Sequence, residues 1–129
     1  FPIEHNARPE EAMATLARQV LDWHLEPANI RVHRLLIQEA DFVPDLARRF
    51  YEVRVEIVTN ALDRLLTAHA MPLPNAFAAE AFYTLATYAV RFLTTRTSPG
   101  ADDRDRYSRE CAQIFLRGIR VHDGYAVPE

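Results

Sequence analysis

Five stretches of this chain repeat their apolar residues every three or four positions, and proline or glycine stands between each stretch and the next. That combination leaves few folds open. A spacing of three and four is the period of an amphipathic helix, and no stretch alternates with a period of two. The chain is therefore predicted to be all-α, with five helices and no sheet. The first is expected over about Pro9–Leu25. Pro9 suits a first helical position, and Glu10 and Glu11 suit the positive end of the helix dipole. The second is expected over about Ala28–Ala40, with Val32, Leu36, Ile37 and Ala40 turned inward. The third spans about Pro44–His69, the fourth about Asn75–Arg96, and the fifth starts at Asp102 and Asp103 and ends near His122. Asp41-Phe42-Val43-Pro44 reads as a sharp corner, because proline disfavours helical geometry at the residue before it. Phe42 and Val43 are expected to plug that corner.

A chain of 129 residues suits one domain, residues 1–129, with a core of useful size. Its start at Phe1 suggests a piece of a longer protein. The net charge is −3, and its fifteen basic residues are all arginines interleaved with acids. Nucleic-acid affinity comes mainly from neutralising phosphates, so this chain alone is expected to be a poor DNA binder. No run of about 18 apolar residues is available to cross a membrane. Cys111 is the single cysteine, which rules out an internal disulfide and fits a reducing, cytoplasmic location.

Three helical faces stand out. The fourth helix is apolar on almost every side except a stripe of Glu80, Thr84, Thr87 and Arg91. A helix of that kind needs covering on two sides, which points to a partner chain. On the fifth helix, Tyr107, Cys111, Ile114, Phe115 and Gly118 share a face, with small residues at its middle. The expected interface between subunits is Leu85, Tyr88, Ala89 and Phe92 with those five; ordinary packing inside one chain is the alternative. On the third helix, Arg54 falls within an apolar arc of Leu46, Phe50, Val53, Ile57, Val58, Ala61 and Leu65. A buried guanidinium needs a partner. Glu39, Asp41 or a bound anion could supply it, or the side chain could reach water along its own stem.

The chemistry of an enzyme is absent. The five histidines are scattered, there is no metal-ligand spacing, no nucleophile elbow and no glycine-rich phosphate loop. No metal and no cofactor is expected. Aromatic residues do gather on the first, third and fourth helices, and apolar walls with a few polar groups describe a small-molecule pocket. Trp23, His24, Phe50, Arg54, Val58, Phe82 and Tyr83 are the expected ligand-binding residues. A filled aromatic core is the competing reading, and His24 on its own fits a hydrogen-bonded core residue.

Three segments carry a resemblance. EADFVPDLARRFYE, residues 39–52, resembles the corner between the sixth and seventh helices of TetR-family transcriptional repressors. AAEAFYTLATYAVRFL resembles the eighth helix of that family, and CAQIFLRGIR the end of the ninth. The likeness runs over roughly residues 10–122. It implies an effector-binding and dimerisation domain whose last two helices form a four-helix bundle with those of a second subunit. It also implies a pocket among the preceding helices, where ligand binding shifts the attached DNA-binding heads. The family's N-terminal helix-turn-helix is missing before Pro9, so operator DNA would be bound only through that absent domain. The expected function is thus a ligand-sensing domain of a homodimeric repressor, binding a small, mostly apolar effector. The alternative is a dimeric helical interaction module with a filled core.

Overall fold

The computed structural model describes residues 1–3, 6–73, 75–87 and 98–124, the last four through their backbone only. Among these residues there are five helices and no strand: α1 (Pro9–His24), α2 (Pro27–Gln38), α3 (Pro44–Ala68), α4 (Ala76–Thr87) and α5 (Ala101–Gly124). Pro9, Pro27 and Pro44 each stand in the first turn of their helix, where no backbone N–H is missed. Asn75 caps α4, its side-chain oxygen accepting from the Ala78 N–H at 2.9 Å. α3 ends in a Schellman arrangement. The Met71 N–H reaches the Leu66 carbonyl at 2.8 Å and the Ala70 N–H reaches Thr67, with Ala70 left-handed at φ 54°.

α1 is the hub. Ala12, Met13, Leu16, Ala17, Val20 and Leu21 are all buried. This double stripe lets α1 face α3 and α4 on one side and α5, its most extensive partner, on the other. Each such side chain withdrawn from water stabilises the fold by about 1.5–3 kcal/mol when large, so this stripe is the main source of cohesion. Ion pairs fix the register. Arg18 pairs with Asp22 and Asp105, and Arg104 reaches Asp22 at 2.9 Å. Glu10 meets Arg120 at 2.9 Å at the opposite end, so α1 and α5 run antiparallel. Exposed pairs of this kind contribute about 0.2–1 kcal/mol each, less than one leucine. The second half of α3 closes the core with Val58, Ala61, Leu62, Leu65 and Leu66.

The other half of the molecule is thinner. No residue of α2 is fully buried, and Val32 and Ile37, expected inside, are exposed. Among the described residues α2 lies mainly against α1 and the start of α3, too little to cover its stripe. The corner is also unlike its expectation. Phe42 is 82% exposed and Val43 lies at the surface. The turn closes through its own backbone, the Phe42 and Val43 N–H groups both donating to the Glu39 carbonyl at 2.9 Å. No side chain is required to fill it.

Candidate functional site

The last turn of α1, the α2 stripe and the first two turns of α3 border a half-open cavity of about 250 Å³, to which α4 contributes Tyr83. His24, His33, Leu36, Ile37, Ala40, Ala47, Phe50, Tyr51 and Tyr83 line it. Its walls are almost wholly apolar. The volume of about 250 Å³ lies just below the range of drug-sized ligand pockets, which begins at roughly 300 Å³.

Local sequence explains how the wall is made. His33, Leu36, Ile37 and Ala40 recur at i, i+3, i+4 and i+7, so one face of α2 and its continuation turns to the cavity. Ala40 and Ala47 are small, and their size leaves the space open. The aromatic rings stand edge to face around the other side. His33 lies 5.1 Å from Phe50, and Tyr51 lies 5.8 Å from Tyr83, ring centre to ring centre. Such pairs hold their rings by the aromatic quadrupole as well as by burial.

The polar groups collect at one end. His24 is 1% exposed and its ring lies 4.4 Å from that of His33. Neither ring nitrogen of His24 has a hydrogen-bond partner. His33 Nδ1 lies 3.1 Å from the Asn29 carbonyl oxygen, which can only accept. Nδ1 therefore carries the proton, and Nε2 presents a lone pair while the ring is neutral. Both rings are held neutral. Burial, with His33 and Arg54 adding to it, lowers the His24 pKa to about 3; burial and the Arg54 charge lower that of His33 to about 4. Burial also raises the phenols of Tyr51 and Tyr83, and the Arg54 guanidinium beside the Tyr83 hydroxyl opposes this.

Arg54 lies directly behind this end. It is 5% exposed, with its guanidinium carbon 3.8 Å from the centre of the Trp23 ring and 5.1 Å from that of Phe50. Its Nε and Nη2 have no hydrogen-bond partner. No carboxylate among the described residues forms an ion pair with it, and neither Glu39 nor Asp41 comes within ion-pair reach. The expected corner acids are therefore not its partners, and it does not snorkel to water.

Of the seven residues expected from sequence to bind a ligand, the structure brings His24, Phe50 and Tyr83 to the cavity wall. Arg54 and Trp23 form a layer behind it, Trp23 packing on Phe1 at 5.4 Å. Val58 and Phe82 are elsewhere, wholly buried in the core, with Phe82 against Phe115 at 5.1 Å. The residues missed are His33, Leu36, Ile37, Ala40, Ala47 and Tyr51. The α2 stripe is the signal for His33, Leu36, Ile37 and Ala40, and in sequence it looks like ordinary core; Ala47 and Tyr51 lie on the opening turns of α3.

The expected interface residues are likewise divided. Cys111 and Phe115 are buried in the chain's own core, whereas Ile114 is 61% exposed and Gly118 faces open space. Leu85 is half-buried, and the Tyr107 hydroxyl donates to its carbonyl. Tyr88, Ala89 and Phe92 lie outside the described residues. Phe77, Ile114 and Gly118 border an apolar groove between α4 and α5. Burial raises the Cys111 thiol to about 12, so it is no nucleophile at neutral pH. Among the described residues no group of side chains could hold a metal ion, and no helix is long and apolar enough to cross a membrane.

No curated protein and no solved structure matches the chain. A family model does. The C-terminal domain of AefR-like transcriptional repressors matches residues 11–118, from the first turn of α1 to late in α5, and so spans every helix described above. The chain belongs to the TetR family of transcriptional regulators, as a C-terminal domain of the AefR-like type.

Proposed function

We propose that this domain senses a small, mostly apolar effector in the cavity between α1, α2, α3 and α4, and that it works as a homodimer joined through α4 and α5. The observation that carries the reading is the cavity itself. It is lined by apolar side chains on three helices, with unpartnered nitrogens of His24 gathered at one end. A filled interaction module has no use for such a space. In the parent protein the effector would act on operator DNA through an N-terminal DNA-binding domain, since this acidic chain offers no reading element of its own. Phe77, Ile114 and Gly118 support the dimer, because two large apolar side chains and a bare stretch of helix face outward side by side.

Native mass spectrometry of the domain made in its own host tests both halves together. The expected mass is that of two chains holding a small molecule without a covalent bond. In Ala47→Trp, which fills the cavity, the two-chain mass should persist and the small molecule should be lost. A bare mass from the unaltered domain, unchanged on adding apolar compounds, contradicts the sensor. A single-chain mass contradicts the dimer.

A further inference from the structure

The effector reading leaves the charge of the ligand open, and Arg54 narrows it. We infer that the cavity is built for an anionic amphiphile, a carboxylate on a short apolar tail, with its head at the His24–Tyr83 end against the charge of Arg54 and its tail along Leu36, Ile37 and Ala40. This rests on the sensor reading above and adds the chemical class of the effector.

The argument begins with a missing counter-charge. Arg54 is permanently charged and almost wholly buried, and two of its nitrogens have no partner. A charge taken from water without a partner is strongly unfavourable. The faces of Trp23 and Phe50 offset only part of that, because a ring quadrupole is a weaker partner than an anion. Nearby side chains supply little of the balance. His24 and His33 are neutral, Tyr83 offers Arg54 only a neutral hydroxyl, and Glu80, the carboxylate that acts on Tyr51, forms no ion pair with Arg54. Among the described residues no carboxylate is paired with Arg54, so its charge has no direct counter-charge at this end of the cavity.

The neighbouring polar groups suit the same head. A neutral His24 always has one N–H to give, and neither of its nitrogens is engaged within the protein. The Tyr83 hydroxyl lies beside Arg54 at the same end. A carboxylate there could accept from His24 while the guanidinium attracts it across one layer of side chain. The rest of the wall is apolar and asks for a hydrocarbon tail. At about 250 Å³ the space equals roughly eight waters at ~30 Å³ each, so the tail is short.

Isothermal titration with octanoate, octan-1-ol and octylamine separates the possibilities, since the three share a tail and differ in head charge. The unaltered domain is expected to bind octanoate saturably and at least about tenfold more tightly than octan-1-ol, the scale of a hydrogen bond to a charged group, with octylamine weakest. In Arg54→Met the preference for octanoate should vanish while octan-1-ol binds as before. Equal affinities for acid and alcohol, or a preference for the amine, overturn the anion and leave the cavity reading intact. Binding of none of the three overturns the cavity reading itself. A preference for octanoate that survives in folded Arg54→Met removes Arg54 from the inference. Should that variant fail to fold, the order of the three probes on the unaltered domain decides.

Discussion

α1 and α2 carry the same kind of amphipathic stripe, yet α1 buries seven side chains and α2 buries none. The difference is not in the helices themselves. α1 has α3, α4 and α5 around it, while among the described residues α2 leans mainly on the end of α1 and the start of α3. α3 shows the same contrast along its own length. Its second half is packed with Val58, Leu62, Leu65 and Leu66, and its first half leaves Leu46 and Tyr51 at the surface. An apolar stripe thus states only that a face avoids water. Whether it becomes core or cavity wall depends on how many neighbours arrive to cover it. Here the densely covered half holds the domain together, and the sparsely covered half leaves the open space bordered by α2.

The largest test of this contrast deletes the same atoms in both halves. Leu62 is wholly buried in α3 and Leu36 lines the cavity from α2. Leu62→Ala is expected to lower unfolding stability by about 2–5 kcal/mol, the transfer term plus a new void. Leu36→Ala should cost less than about 1.5 kcal/mol, because the side chain is only half-buried and already borders open space. Urea denaturation of the two variants measures both. Similar losses would mean that α2 is as tightly covered as α3, and the division into core and wall would fall.

A smaller effect comes from the histidines where the halves meet. His24 titrates near 3 in the folded domain against about 6.5 in an unfolded chain. Between those values the unfolded chain takes up the proton and the folded one does not. Stability should therefore fall as pH drops below 6.5, and the loss should continue until about pH 3. From pH 7 to pH 5.5 His24 alone should remove roughly 1 kcal/mol, with His33 acting in the same direction. His24→Leu should flatten the profile in that window. A stability that is constant from pH 7 to 5.5 in the unaltered domain would show that His24 accepts its proton as readily folded as unfolded.

What the sequence made legible follows the same division. Helix starts were readable at Pro9 and Pro44, which suit a first turn, and at Asn75, which is a good cap, whereas α2 begins at Pro27, one residue before the expected Ala28. The burial of Arg54 was readable from its place within the α3 arc. That no carboxylate among the described residues pairs with it was not, since Glu39 and Asp41 are near it in sequence. Phe50 and Phe82 are the same residue type on faces of similar character, yet one lines the cavity and the other fills the core. Depth of that kind is a property of the assembled neighbours. Gly118 is a different case. A mid-helix glycine suggests close helix approach, and among the described residues a Cβ there would meet nothing within 4 Å, so no helix of those residues makes that approach.

The smallest expected effect is at Phe42, and it bears on the edge of the sparsely covered half. Phe42 is 82% exposed, and the turn that holds it is closed by backbone hydrogen bonds that no side chain supports. Phe42→Ser therefore removes an aromatic ring from water and leaves no void behind. Its effect on unfolding stability should be within about 0.5 kcal/mol, the range for surface substitutions away from packed features. The same ring in the core, at Phe82, has no such freedom, since every atom removed there leaves its neighbours without contacts. A loss of more than about 1 kcal/mol in Phe42→Ser would show that the corner is covered in solution. The cover could then be sought by repeating the measurement across protein concentration. A loss that grows with concentration would place a second chain against the corner, and one that does not would place Phe42 against its own chain, with the cavity more enclosed than the open corner implies.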